Sequence, residues 1–273
     1  MEIKRVIAMY FSATDTTKNI CEYIAQTISE KTNSTYDIIN YTSKKARNDK
    51  FNFDETTLVI FASPTYAGRI PNILLPFLEN NIEGKNALAV PIVLFGNRNY
   101  DDSLIELRNI LESNNLHTIA GGAFVGEHSF SNTLAKNRPD EEDFELADKL
   151  CDLIIQRLNQ DKITSVSPVN VKGENPIRPY FKPRDRNGKF IDIRKVRPKI
   201  NNNCNDCKVC AEVCPMEAID KDDIHKYNNI CIKCGGCIKK CPANARYYDD
   251  EGYLYHKKEL EEVYSSRAKS EIF

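Results

Sequence analysis

Residues 4–19 read KRVIAMYFSATDTTKN, and this stretch places a buried strand directly before a helix. Lys4–Phe11 is a nearly continuous apolar run, which is typical of a strand that is covered on both faces. The hydroxyl-rich segment after it opens a helical pattern at Thr16, with apolar residues at spacings of three and four. The stretch therefore predicts the first strand and the first helix of an α/β fold.

The same alternation continues through the first 160 residues. Strands are predicted at Lys4–Phe11, Ser34–Tyr41, Thr57–Ala62, Ala87–Phe95 and Thr118–Val125. Helices are predicted at Thr16–Lys31, Pro71–Glu79, Asp101–Asn114 and Asp140–Gln160. Five strands that alternate with helices predict a doubly wound parallel sheet. Ligands of such sheets bind beyond the carboxyl ends of the strands, so the loops there are the candidate sites.

The first of these loops combines hydroxyl groups with a helix N-terminus. Ser12, Thr14, Thr16 and Thr17 lie between the first strand and the first helix. Orphan backbone N–H groups and the helix dipole favour a phosphate there, although a Thr-rich N-cap with no ligand explains the pattern equally well. The loop is not GxGxxG and lacks the GK[ST] ending of an NTPase loop.

Two further loops place an aromatic residue beside glycine at a strand end. The loop after the third strand contains Pro64, Thr65, Tyr66, Ala67 and Gly68, and the loop after the fourth contains Gly96, Asn97, Arg98 and Tyr100. Taken singly, each is typical of a plain turn. One phosphate loop followed by two loops suited to a flat ring predicts a flavin mononucleotide (FMN) site.

These loops resemble those of flavodoxins in the order YFSATDTTKN, SPTYAGRIPN and FGNRNYDDSL. Including GAFVGEHSF and DDEGYLYHKKELEE, the whole chain resembles single-chain fusions of a flavodoxin domain with a bacterial two-cluster ferredoxin, found in anaerobes. The resemblance implies a flavodoxin-like sheet in the order 2-1-3-4-5 and a small α+β ferredoxin-like domain. It also implies that Ser12, Thr14, Thr16 and Thr17 hold the FMN phosphate, that Tyr66 and Tyr100 flank the flavin ring, and that Ala67 and Gly68 face flavin N5.

One residue departs from the flavodoxin pattern. Asp15 stands where flavodoxin phosphate loops usually carry glycine. Asp15 brings a Cβ atom and a negative charge towards a dianion, and both are expected to weaken FMN binding unless the side chain points away.

The chain has 10 cysteines, and eight lie between Cys204 and Cys241 in two CxxCxxCxxxCP runs. In such runs three thiolates hold one iron–sulfur cube, and the fourth, before proline, reaches the other cube. One 4Fe-4S cluster is therefore assigned to Cys204, Cys207, Cys210 and Cys241, and the second to Cys231, Cys234, Cys237 and Cys214. Zinc is disfavoured because a third CxxC ligand would be superfluous, and disulfides are disfavoured in a reducing compartment. The remaining Cys21 and Cys151 fit core positions of helices.

The net charge, like the density of cysteines, differs between segments of the chain. Residues 1–160 carry a net charge of −6, and residues 161–203 carry +7. The predicted organisation is an FMN-binding domain at 1–160, a basic Pro-rich linker at 161–195, a ferredoxin domain at 196–250 and a helical tail at 251–273. The basic segment could dock on the acidic first domain or offset the charge of the cofactors.

Composition narrows the function further. The net charge of −1 argues against binding to nucleic acid, and no apolar run is long enough for a membrane span or a signal peptide. We expect a cytoplasmic protein with redox partner proteins. No catalytic constellation is recognised.

The leading hypothesis is an electron carrier that relays electrons between the clusters and FMN in low-potential anaerobic metabolism. The alternatives are an FMN-dependent reductase of a quinone, nitro compound or metal chelate, and an iron–sulfur protein without turnover.

Overall fold

The computed structural model of the chain describes residues 2–160 and 168–273. Its main feature is a seven-stranded sheet. The strands are β1 Arg5–Tyr10, β2 Thr35–Asn40, β4 Thr57–Pro64, β6 Ala87–Phe95, β7 Leu116–Thr118, β8 Gly122–Val125 and β11 Glu271–Ile272. Their order is β11-β8-β6-β4-β1-β2, with β7 also paired to β6. All neighbours are parallel except β11, which runs antiparallel to β8.

Burial follows the position of each strand in the sheet. Every residue of β6 is buried, because helices cover both of its faces, whereas β2 at the edge is largely exposed. Helices α1 (Thr16–Thr32) and α4 (Glu141–Leu158) pack on one face, and α2 (Leu75–Asn80) and α3 (Ser103–Ser113) contribute to the core on the other. This places the ends of β1, β4 and β6 at one edge of a rigid, doubly covered sheet.

The sheet differs from the predicted one in strand count. The predicted fifth strand is split into β7 and β8, because residues 119–121 leave the ladder between them. There Gly121 exchanges two backbone hydrogen bonds with Phe273, of 3.1 and 2.9 Å. Besides the main sheet, β3 (Phe51–Phe53) and β5 (Ile82–Gly84) form a separate parallel pair. Seven strands, rather than five, therefore make the main sheet.

The tail is only partly helical, which corrects the predicted helical segment 251–273. Helix α7 spans Glu251–Val263 and begins where the Asp250 side chain accepts a 2.8 Å bond from the Tyr253 N–H group. The chain then becomes extended and adds β11 to the edge of the sheet. An unpaired sheet edge binds an extended segment readily, because it offers free N–H and C=O groups.

The cysteine-rich segment is small and has few apolar contacts of its own. Its strands β9 (Lys199–Ile200) and β10 (Arg246–Tyr247) pair antiparallel, and its helices α5 (Val209–Glu212) and α6 (Gly236–Lys239) have four residues each. The buried residues of its own hydrophobic cluster are Cys210, Ala211, Ile219 and Ile224. So small a core contributes little stability by burial alone.

Residues 169–181 of the segment predicted as a linker pack on the first domain. The first seven residues of that segment, 161–167, lie outside the described part of the chain. Val169 and Val171 are buried in the main core, and Arg178 forms a 2.5 Å ion pair with the buried Asp102. A bridge between Arg184 and Phe190 closes a hairpin further on. In the described residues no helix is long and apolar enough to span a membrane.

Candidate functional site

The loop after β1 presents unpaired backbone donors at the start of α1. Within residues 2–160 and 168–273, the backbone N–H groups of residues 13–17 have no hydrogen-bond partner. The four hydroxyl residues predicted to bind phosphate belong to this helix end: Ser12, Thr14, Thr16 and Thr17. Because free N–H groups at a helix N-terminus bind anions, the loop fits the phosphate of FMN.

Asp15 lies at the centre of this loop in the left-handed conformation, with a φ of 68°. Glycine adopts this conformation without strain, and aspartate is among the few other residues that visit it. The Asp15 carboxylate points to the cysteine-rich segment, where Lys240 Nζ lies 2.8 Å from Oδ1. A cation from the far end of the chain therefore offsets the negative charge in the phosphate loop.

The second loop is a tight turn. Tyr66 and Arg69 exchange backbone hydrogen bonds of 2.9 and 3.1 Å, and the residues between them, Ala67 and Gly68, both have positive φ. The Ala67 carbonyl accepts a 2.8 Å bond from the Phe181 N–H group, and the Gly68 carbonyl a 3.0 Å bond from Asp102. The Thr65 hydroxyl, just after Pro64 of β4, bonds the Ser103 hydroxyl at 2.6 Å. These contacts fix the turn.

Tyr66 faces the second set of cysteines. Its ring packs against the hydrophobic cluster that contains Cys234 and Ala13. Burial raises the pKa of Tyr66 well above its usual value, with smaller contributions from Cys234 and Cys231. The tyrosine expected beside the flavin ring therefore lies between the flavodoxin-like loops and the cysteines.

The third loop is held by the tail. Asn97, with a φ of 67°, donates to the carbonyls of Tyr264 and Ser266 at 2.6 and 2.8 Å and accepts from the Ala268 N–H group at 3.0 Å. Next to it Gly96 is so close to His128 that an added Cβ would lie 2.4 Å from the imidazole.

Tyr100 and Arg98 of this loop are also engaged by neighbouring elements. Tyr100 is buried, with its ring 5.4 Å from that of Phe95, and its hydroxyl donates to Glu271. Arg98 pairs with Asp101 and lies 4.6 Å from the Phe181 ring. Tyr100 thus points into the core beside β11 and is not exposed at the carboxyl ends of the strands.

The eight clustered cysteines line two separate cavities. One is lined by Cys204, Cys207, Cys210 and Cys241. The other is lined by Cys214, Cys231, Cys234 and Cys237. We call these the first and second cysteine sets. Each set takes three cysteines from one run and the fourth from the other run, which is the pattern of two-cluster ferredoxins.

The two runs also share their backbone conformation. Positive φ recurs at three matching pairs of residues, 27 positions apart: Asp206 and Lys233, Lys208 and Gly235, Glu217 and Asn244. In both runs the fourth cysteine accepts a 3.3 Å hydrogen bond on Sγ, from Ala218 N in one and Ala245 N in the other. The repeat in sequence is therefore a structural repeat.

The cysteine geometry differs from a site for a single ion. Within residues 2–160 and 168–273, no three His, Cys, Asp or Glu side chains converge on one ion position. A four-iron cube takes one thiolate at each iron, so its ligands stand farther apart than those around a tetrahedral zinc. The donor set of each cavity, four thiolates, suits a four-iron cube. By contrast Cys21 and Cys151 are fully buried in the main core, as expected.

The cysteine-rich segment lies on the candidate flavin loops. An added Cβ at Gly236 would lie 3.0 Å from the Ala13 carbonyl oxygen, and one at Gly235 would lie 2.6 Å from the Ser129 carbonyl oxygen. Lys239, at the end of α6, donates 2.5 Å bonds to the Glu127 carboxylate and the Ser131 carbonyl. The docked segment thus brings the second cysteine set to the edge of the sheet.

Sequence reasoning did not identify this docking. Glycines 235 and 236 replace Lys208 and Val209 of the first run, so comparison of the two runs could have marked them. Lys239 and Lys240 carry no such signal, because exposed lysines are common on any surface.

The family comparisons match two parts of the chain. Residues 7–117 match the family described as "Flavodoxin domain", and residues 203–246 match "4Fe-4S dicluster domain". The chain contains both domains. No curated protein matches the chain. This pairing of domains supports a role in flavin and iron–sulfur electron transfer, with redox partners.

Solved structures similar to the chain include several flavodoxins. A flavodoxin from the domain Archaea is 13% identical over 57% of this chain and 99% of its own, with a TM-score of 0.41. The flavodoxin of Streptococcus pneumonia TIGR4 is 16% identical over 56% and 99%, with a TM-score of 0.38. A Fusobacterium nucleatum flavodoxin variant, bound to flavin mononucleotide, is 20% identical over 56% and 94%, with a TM-score of 0.35.

Proposed function

We propose that this chain is an electron-transfer protein in which two 4Fe-4S clusters relay electrons to or from FMN, in low-potential anaerobic metabolism. The first cysteine set would hold one cluster and the second set the other. The unpaired N–H groups of residues 13–17, with the hydroxyls around them, would bind the FMN phosphate.

The observation that carries this proposal is the contact of the second cysteine set with the flavodoxin domain. Cys234 shares a hydrophobic cluster with Ala13 and Tyr66, and Gly236 abuts the Ala13 carbonyl. Cys207 of the first set is exposed, which suits exchange with an external partner.

FMN can exchange one or two electrons and each cluster one, so their combination links single-electron partners to a two-electron centre. The chain's own residues provide proximity and shielding. The ion pair of Lys240 with Asp15 and the bonds of Lys239 fix the dicluster domain in place, and Ile232, Cys234 and Tyr66 belong to one hydrophobic cluster there. Covalent linkage keeps the effective concentration of one centre at the other high.

The alternative of an FMN-dependent reductase needs a proton donor near the flavin, and the candidates are poorly suited. Burial lowers the pKa of His128 to about 3, so its ring is neutral at pH 7. Burial and the Glu271 carboxylate raise the pKa of Tyr100 above its usual value. Arg98 is engaged by Asp101. These states favour an electron carrier.

The test uses the full chain, reconstituted anaerobically with iron, sulfide and FMN. Mixing with a limiting one-electron reductant in a stopped-flow instrument separates cluster reduction from the later reduction of flavin. Gly236→Val, which copies Val209 of the first run, removes the close approach to Ala13. We expect slower electron transfer to flavin with about eight iron atoms retained per chain.

Val209→Ala is the matched control, because α5 occupies the same position in the first run and lies at the first cysteine set. It should leave the transfer rate unchanged. Flavin that is never reduced by the clusters, or a rate that is the same in Gly236→Val and the original chain, would refute the relay.

A further inference from the structure

Arg246 places a buried positive charge against the first cysteine set. Its side chain in β10 is 4% exposed, and it lines the cavity formed by Cys204, Cys207, Cys210 and Cys241. One guanidinium nitrogen, Nη2, lies 3.1 Å from Cys210 Sγ. This is a direct contact between a cation and a candidate cluster ligand.

The other partners of Arg246 are neutral. Nη2 also donates to the Ile224 carbonyl at 2.7 Å, and Nη1 donates to the Tyr227 hydroxyl at 2.9 Å. Nε is buried and has no partner in residues 2–160 and 168–273, and no carboxylate there pairs with the guanidinium. Because a buried charge needs an opposite charge, Arg246 points to an anionic occupant of this cavity.

The structural repeat provides an internal comparison. Arg246 follows Cys241 by five residues, and the residue at the same place after Cys214 is Ile219. Ile219 lines the second cavity as Arg246 lines the first. In each cavity a backbone N–H group donates a 3.3 Å hydrogen bond to a cysteine sulfur, from Ala218 to Cys214 in the second and from Ala245 to Cys241 in the first. The two cavities therefore share their backbone donors and differ at this side chain.

We propose that Arg246 raises the reduction potential of the cluster bound by the first cysteine set, an inference that rests on the proposed two clusters. Reduction adds one electron, and hence one negative charge, to the cluster and its thiolates. A cation and a hydrogen bond to sulfur stabilise that added charge, and hydrogen bonds to sulfur are a known determinant of cluster potentials.

Three polar side chains line the second cavity, Tyr227, Lys233 and Tyr248, but none places a cation in hydrogen-bond contact with a ligand sulfur. Lys233 Nζ donates to the carbonyls of Cys231 and Arg194, at 3.0 and 3.2 Å, and is partly exposed. The Tyr248 hydroxyl is buried and neutral. A cation in hydrogen-bond contact with a ligand sulfur is confined to the first set among the described residues.

The test is a redox titration of the full chain, monitored by EPR, with iron and sulfide measured for each variant. Arg246→Met should lower the potential of one cluster, with at least a tenfold change in its reduction equilibrium, which corresponds to about 59 mV for one electron. Arg246→Lys should restore part of the shift, because it keeps the charge. The control Arg186→Met removes the same charge from an exposed arginine that lines neither cavity, and it should leave both potentials unchanged.

A variant-free measurement covers the case in which Arg246→Met fails to bind iron. Pulsed EPR of the reduced original protein, labelled with 15N at arginine side chains, should detect nitrogen coupled to one cluster. Unchanged or equally shifted potentials in Arg246→Met, or no nitrogen coupling, would overturn the inference. An iron content well below eight atoms per chain would instead refute the two clusters. The redox titration and the pulsed EPR measurement do not depend on electron transfer to flavin.

Discussion

Lys240 Nζ lies 2.8 Å from Asp15 Oδ1 and joins two residues that are 225 positions apart in the chain. The contact links the loop that fits a phosphate to the helix end beside Cys241. It also accounts for the acidic residue in that loop, because Asp15 serves as the anchor for the second domain. Phosphate binding and domain docking therefore involve the same few atoms.

Asp15→Gly should tighten FMN binding about tenfold, which is roughly 1.4 kcal/mol. Glycine relieves the strain of the left-handed backbone and removes a negative charge next to the phosphate. Flavin fluorescence quenching measures the dissociation constant. Asp15→Asn separates the two causes, since it removes the charge and keeps the Cβ atom. Weaker binding by both variants would contradict this account.

Removal of the clusters by an iron chelator should unfold the dicluster domain and leave the flavodoxin domain folded. The buried apolar residues of the dicluster core are few, whereas the sheet has its own large core. Hydrogen exchange of the full chain, read by mass spectrometry, should show lost protection within residues 196–250. Protection there that survives iron removal would argue that the segment folds without metal.

Cys204→Ala and Cys231→Ala should each reduce the iron content by about four atoms, because each removes a ligand from a different set. Cys21→Ala is the matched control: Cys21 is buried in the main core, so the substitution should destabilise the fold slightly and leave the iron content unchanged. Colorimetric iron assay measures the outcome. Loss of iron in Cys21→Ala would contradict the assignment.

Arg178→Met should destabilise the chain near neutral pH by about 2 kcal/mol, because it leaves the buried Asp102 carboxylate without its ion pair. Hydrogen bonds from Arg178 lower the pKa of Asp102 to about 2. A lowered carboxyl pKa stabilises the folded state above the unfolded value near 4, and this contribution is lost as pH falls towards 2. Urea unfolding should therefore show a difference between the two proteins that shrinks from pH 5 to pH 2. A difference that is constant with pH would exclude the ion pair as its cause.

Asn97→Gly should destabilise the contact between the third loop and the tail by about 2 kcal/mol. Glycine keeps the positive φ of this position and removes three hydrogen bonds to residues 264–268. Asn97→Asp keeps the acceptor and loses the two donor bonds, so its effect should be intermediate. Thermal unfolding of the flavin-free protein measures both. Equal stability of Asn97→Gly and the original chain would show that the tail is held elsewhere.

Much of the flavodoxin domain could be predicted because its strands are long and strongly apolar. The predicted Ala87–Phe95 has the bounds of β6, and α1 begins at Thr16 as predicted. The tail strand Glu271–Ile272 could not be predicted, since two residues carry no pattern and the pairing depends on a distant edge. The cysteine sets follow from spacing, whereas the partners of Lys240 and Arg246 depend on tertiary contacts that no local pattern encodes.

Strand β11, the last strand of the chain, pairs antiparallel with β8 of the main sheet. The dicluster domain therefore lies between two segments that both belong to the flavodoxin sheet. The chain leaves the sheet after β8 and returns to it at Glu271, so both ends of the intervening segment are anchored in one body. A domain held at two points can pivot but cannot swing away on a single tether. The distance between the cysteines and the sheet edge is thereby bounded, and a cut between Arg184 and Phe190 would leave the two domains attached.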